Sequence, residues 1–123
     1  MANPTFRCGL EAALSVLSGK WKPLILYNLA MNVHRYGELR RAIGGVTDKV
    51  LIQQLKELER DLIVARIDFQ EIPPRVEYSL TPFGQSLAAA LVGLCEWGTQ
   101  HMQMVERISE RRASAVSESK ADA

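Results

Sequence analysis

Between positions 47 and 61 the chain reads TDKVLIQQLKELERD, and Leu51, Leu55, Leu58 and then Leu62 return at offsets of four, three and four. That spacing lines one stripe of an α-helix and is incompatible with a strand, whose neighbours alternate between faces. Directly beyond it the period changes to two. In VARIDFQ, Ala65, Ile67 and Phe69 alternate with Arg66, Asp68 and Gln70; in RVEYSL, Val76, Tyr78 and Leu80 alternate with Arg75, Glu77 and Ser79. Two alternating runs on either side of EIPP predict an antiparallel hairpin with a proline-stiffened loop. An amphipathic helix that runs straight into a small hairpin leaves few architectures open.

The flanking segments narrow them further. Leu10, Ala13, Leu14 and Leu17 predict a short first helix ending before Gly19, and SGKWKPLILYNLA a second, with Pro23 in its first turn, where the missing N–H costs nothing. Trp21, Leu24, Ile25, Leu26 and Leu29 make that helix largely buried. RYGELRRAI predicts a third helix, with Leu39 and Ile43 inward and Arg40 and Arg41 outward, stopped by Gly44 and Gly45. Thr47 is placed to cap the leucine helix, and Asp48 sits in its electrostatically favourable first turn. Thr81 and Pro82 open a last, long helix through Leu87, Leu91, Leu94, Met102, Val105 and Ile108. The expected fold is mainly α with a small antiparallel β-hairpin, a winged helix-turn-helix at residues 1–108, followed by a flexible polar tail at 109–123.

A chain of 123 residues suits one domain, and its 47% apolar and 24% charged residues are ordinary for a globular protein. No apolar run approaches the ~20 residues of a membrane helix, and the N-terminus lacks a secretory signal, so a cytoplasmic chain with no membrane partner is expected. The net charge of +1 hides an asymmetry. From Ser18 to Lys56 the cations are Lys20, Lys22, Arg35, Arg40, Arg41, Lys49 and Lys56, against Glu38 and Asp48 alone. Such a cluster on a helix-turn-helix points to double-stranded DNA, whose major groove receives the second helix of the pair. Cys8 and Cys95 are too far apart for a disulfide framework, and neither they nor His34 and His101 have metal-site spacing. With no Ser/His/Asp set, paired catalytic acids or phosphate-cradling loop, no enzyme, cofactor or metal is expected.

GKWKPLILYNLA, RYGELRRAIGGVTDKVLIQQLKELERDLIVARI, PPRVEYSLTPFGQSL and CEWG together resemble the HxlR-type winged helix-turn-helix regulators, from about Cys8 to Trp97. The resemblance implies a transcription regulator that binds a palindromic operator as a homodimer built from its first and last helices. Leu10, Leu14, Leu91, Leu94, Trp97, Met102 and Val105 are the expected interface; a lone domain has no use for so many apolar residues on one extended helix. Repression is the expected sign of regulation. Many members carry a cysteine just before the first helix, here Cys8, which in the redox-sensing branch answers electrophiles, quinones or hypochlorite. This chain has Gly9 where many members have a proline.

Residue by residue, Lys49, Gln53, Lys56 and Arg60 repeat the leucine offsets on the opposite face of the helix. Gln53 and Gln54 can each offer a donor and an acceptor to an adenine edge, and Lys49 can donate to guanine; phosphate contact or plain solvation is the alternative for each. Thr47 either caps alone or caps while also touching phosphate. Arg60, among acids, is expected in a surface ion pair. Lys20, Lys22, Arg40 and Arg41 would anchor phosphates, and Arg75, on the wing, would touch the DNA backbone or enter the minor groove, a solvated strand-start arginine being the alternative. Tyr36 and Trp21 are expected in the core, and Cys95 in helix packing. Arg7 and the helix start beside Cys8 favour its thiolate, a buried, inert thiol being the alternative. Two other readings stand beside this one: a regulator with a small-molecule pocket between the first, second and last helices, and a winged-helix protein-interaction module.

Overall fold

The chain passes through α1 (Gly9–Val16), α2 (Trp21–Met31), β1 (His34–Arg35), α3 (Tyr36–Ile43), α4 (Asp48–Arg60), β2 (Val64–Asp68), β3 (Val76–Leu80), α5 (Pro82–Ala90), α6 (Val92–Gln100) and α7 (Met102–Ala121). The computed structural model describes residues 5–32 and 34–121, and its contacts divide into one unit up to Ala89 and a second from Ala90.

In the first unit the leucine stripe carries the core. Leu51, Leu55 and Leu58 of α4 are buried with Ile25, Leu26 and Leu29 of α2 and with Leu39 of α3. Each such side chain removed from water contributes about 1.5–3 kcal/mol before entropy is counted. Leu62 departs from the expected stripe: it is 70% exposed, with φ at 62°. The reason is how α4 ends. The Ile63 N–H donates to the Leu58 carbonyl and the Leu62 N–H to that of Glu59, the paired bonds of a Schellman motif, which needs a left-handed residue between helix and exit. Leu62 is that residue, and Ile63 takes the buried place beside Leu58.

β2 and β3 pair antiparallel from Val64 opposite Leu80 to Asp68 opposite Val76. The winged hairpin is joined by the two-residue β1, which pairs with β3 (His34 with Tyr78), giving a sheet of order β1-β3-β2. The alternation in β2 is not matched by burial: Ile63 and Val64 are buried, whereas Ile67 and Phe69 are exposed toward the wing tip. Thr81 fastens the start of α5 to the end of α4. Its hydroxyl donates to the Leu62 carbonyl at 2.6 Å and accepts from the Gly84 N–H at 2.9 Å. Gly84 is obligatory there, since a Cβ would lie 2.1 Å from the Ile63 carbonyl oxygen.

The expected single long helix is three segments. The backbone flattens at Leu91 (ψ −12°) and at His101 (ψ 16°), near the weak helix formers Gly93 and Gly98. His101 also turns its ring back onto Trp97, stacked at 4.7 Å with Nδ1 2.9 Å from the Trp97 carbonyl. The segment after 108, expected as a flexible tail, is helical to Ala121. Its Ala, Glu, Arg and Lys content carries enough helix propensity to extend α7 without a packed face. Leu94, Trp97 and Met102 are each more than half exposed on the second unit, as are Leu10 and Leu14 on the first. Among the described residues no helix is long and apolar enough to cross a membrane.

Candidate nucleic-acid interface

The turn from α3 to α4 is made by Gly44 and Gly45, at φ 70° and 71°, which only glycine adopts without strain. Thr47 then caps α4, its Oγ1 accepting from the Val50 N–H at 3.2 Å. Because Leu51, Leu55 and Leu58 face the core, the helix geometry turns Lys49, Gln53 and Lys56 to solvent, and all three are exposed. At the head of α4 a concavity of about 630 Å³ is lined by Arg40, Arg41, Gly45, Val46, Thr47 and Asp48.

The side-chain partners sort the expected site residues. Lys49, Gln53, Lys56 and Arg41 have no side-chain hydrogen bond or ion pair among the described residues, and Lys20 only rests its ammonium over the Trp21 ring, 4.7 Å from the centroid. These groups are available to an incoming polyanion. Lys22, expected as a phosphate anchor, is 4% exposed, with Nζ 3.2 Å from Glu57 Oε2 and 3.4 Å from Ser18 Oγ. It lies three, four and seven residues before Ile25, Leu26 and Leu29, on the buried face of α2, so it is a core ion-pair partner and no DNA ligand. Gln54 is half-buried and gives one N–H of its amide to the same Glu57 oxygen at 3.1 Å, whereas Gln53 is exposed and has no side-chain partner among the described residues.

Arg75 is likewise engaged. It donates to Glu77 at 2.9 Å, lies 3.8 Å from Glu71 and stacks 4.2 Å from the centre of the Phe69 ring. The hydrogen bond to Glu77 pushes its pKa up, so the guanidinium is locked in its charged form but neutralised locally. Arg60 pairs with Asp61 at 3.1 Å, as expected of that acidic end. Arg40 is shared, with Nε 3.4 Å from Asp48 and about half its side chain in solvent.

Tyr36 and Trp21 are half-buried and not core residues. The Tyr36 hydroxyl donates to Asp48, a contact that sequence reasoning did not anticipate. Cys8 is exposed at the cap position of α1, and Arg7, expected to favour its thiolate, instead pairs with Glu11 at 3.3 Å. Cys95 is also exposed in the single chain and lines a groove of about 710 Å³ between α6 and α7 with Leu94, Trp97, Met102 and Val105. No cluster of metal-ligating side chains occurs among the described residues.

A short capped helix pair, an open cationic face on its second helix and a three-stranded wing together define a winged helix-turn-helix. The HxlR-like helix-turn-helix family matches residues 16–106. The chain belongs to that family. It is a DNA-binding transcription regulator of the helix-turn-helix type, as its relatives are. It is 42% identical to the HTH-type transcriptional regulator YtcD of Bacillus subtilis over 105 residues, 85% of this chain and 83% of YtcD. The redox regulator HypR in its reduced form superposes with a TM-score of 0.75 at 38% identity, covering 81% of this chain and 99% of HypR. Diamide-treated YodB of B. subtilis gives 0.64 at 33% identity, covering 77% and 95%. The HxlR-like match begins at residue 16, so Cys8 lies before it.

Proposed function

We propose that this HxlR-like chain acts as a homodimer that seats α4 in the major groove of a palindromic operator and represses transcription there. The observation that carries the reading is the face of α4: Gln53 stands exposed, with no side-chain partner among the described residues, between Lys49 and Lys56 on a helix whose other side is anchored in the core. A glutamine in that setting can bond an adenine edge in both directions while the lysines meet guanine or phosphate. Two-fold symmetry requires the second reading helix to meet a half-site about one DNA turn, ~34 Å, away. The exposed apolar side chains Leu10, Leu14, Leu94, Trp97 and Met102, joined by Leu91 and Val105, support pairing of two copies, since monomers seldom leave so much apolar surface in water. Such an activity is exercised in the cytoplasm, beside the chromosome.

The test is selection of a duplex from a randomised pool, followed by footprinting. Two protected half-sites about one turn apart are expected. Gln53→Ala should then cost ~1–3 kcal/mol and flatten the preference at one position in each half-site. If no sequence is enriched, the interaction-module reading takes over. If Gln53→Ala leaves the sequence preference intact, Lys49 becomes the base-reading residue.

The similarity to HypR and to diamide-treated YodB supports a second layer, in which Cys8 makes the regulator responsive to oxidants or electrophiles. Cys8 is exposed at the entry to α1, where an adduct or an intermolecular disulfide would bear on the proposed pairing surface. Diamide should weaken operator binding by the wild type and spare Cys8→Ser. Equal loss in both would remove Cys8 from the mechanism, and no loss in either would favour a non-covalent small-molecule effector.

A further inference from the structure

Tyr36 is the first residue of α3 and Asp48 the first of α4, so a bond between them joins the heads of the two helices that any groove-reading pair must hold at a fixed angle. The Tyr36 hydroxyl donates to Asp48 Oδ1, and the same oxygen lies 3.4 Å from Arg40 Nε. A carboxylate in the first turn of a reading helix is otherwise a liability, because it faces a polyanion. Here its charge is directed to one edge of the Arg40 guanidinium. Among the described residues Arg40 has no second carboxylate partner, so its two terminal amino groups remain for a phosphate. The concavity beside them is lined by Arg41 and Thr47 and is open to solvent.

We propose that Tyr36 and Asp48 are positioning residues: together they hold the Arg40 guanidinium edge-on, so that its remaining donors meet a backbone phosphate in one register relative to Gln53. The inference rests on the DNA-reading role of α4. A phosphate contact made by a fixed guanidinium sets register, whereas one made by a freely rotating side chain supplies attraction alone. The tie therefore acts on discrimination between operator and random DNA more than on general affinity. Burial, then the hydrogen bond and charge of Asp48, push the Tyr36 pKa up to about 12, which keeps the hydroxyl a donor throughout the neutral range.

The experiment compares the wild type, Tyr36→Phe, Arg40→Ala and the double variant. The probes are the duplex that the wild type selects from a randomised pool and, for random sequence, sonicated calf-thymus DNA. Tyr36→Phe should weaken binding to the selected duplex by about three- to tenfold, the range carried by one hydrogen bond, and leave calf-thymus binding unchanged. In the Arg40→Ala background the same substitution should do nothing, because the residue being positioned has gone. Asp48→Ala, at an exposed side chain, should reproduce the loss of discrimination while tightening calf-thymus binding, since a negative charge is removed; it serves also if Tyr36→Phe fails to fold. Equal discrimination in wild type and Tyr36→Phe, or an undiminished Tyr36→Phe effect on Arg40→Ala, overturns this inference alone. A wild type that enriches no sequence overturns the functional reading beneath it.

Discussion

Glu57→Gln should destabilise the fold by about 3–5 kcal/mol, the cost of leaving a buried charge without its partner. The pair is asymmetric. Lys22 keeps 5% of its side chain in solvent and Glu57 keeps 26%. Removing the glutamate charge leaves without a counter-charge an ammonium that cannot reach water, with only neutral acceptors beside it, Ser18 Oγ at 3.4 Å and the substituted amide oxygen. Removing the lysine strands a carboxylate that can rehydrate and still accepts from Gln54 at 3.1 Å. Lys22→Met, which keeps the apolar stem, should therefore cost less than Glu57→Gln. The double variant should recover much of the loss, because a buried ion pair exchanged for neutral groups is often close to neutral in stability. Urea unfolding of the three variants measures this. A loss of several kcal/mol is a large share of the ~5–15 kcal/mol by which domains are stable. Additive losses, or a costlier Lys22→Met, would show that Lys22 is not held as described.

The fate of Lys22 also shows what was legible in the sequence and what was not. Its place three, four and seven residues before Ile25, Leu26 and Leu29 was there to be read, but a lysine in a basic stretch invited assignment by charge. The partner, Glu57, lies on another helix, and no local pattern pairs them. The order of helices, the glycine turn, the Thr47 cap and the hairpin were legible because each rests on local periodicity or backbone chemistry. β1 was not, since two residues show no period, and they join the sheet only because β3 lies alongside. Leu62 fitted the stripe by number but not in space, because a Schellman exit ends the helix two residues before it, at Arg60. In the site, exposure of Lys49, Gln53 and Lys56 followed from helical phase. The neutralisation of Arg75 by Glu71 and Glu77 needed the hairpin closed around Phe69. The Tyr36–Asp48 contact spans twelve residues and a turn whose geometry only the fold supplies.

Operator binding should fall steeply with salt, and the slope should identify which cations meet phosphate. Each chain presents Lys20, Arg41, Lys49 and Lys56 without a carboxylate partner among the described residues, while Lys22, Arg60 and Arg75 are paired. In the proposed homodimer two copies would bring ~8 open cations to DNA, and between ~50 and ~200 mM salt the affinity should drop by roughly 10³–10⁵-fold as condensed counterions are released. Lys56→Ala removes one contact per protomer, so the slope of log K against log salt should shallow by about 2. Arg75→Ala should leave the slope nearly unchanged, because its charge is already balanced by Glu77 and Glu71 and its guanidinium is committed to the Phe69 ring. Titrating one selected duplex over a salt series with the wild type and both variants separates the cases. A slope that Arg75→Ala shallows as much as Lys56→Ala would mean that the wing opens its ion pairs on DNA. A wild-type slope near zero would mean that the α4 face meets no phosphate at all, and the helix would have to be placed elsewhere.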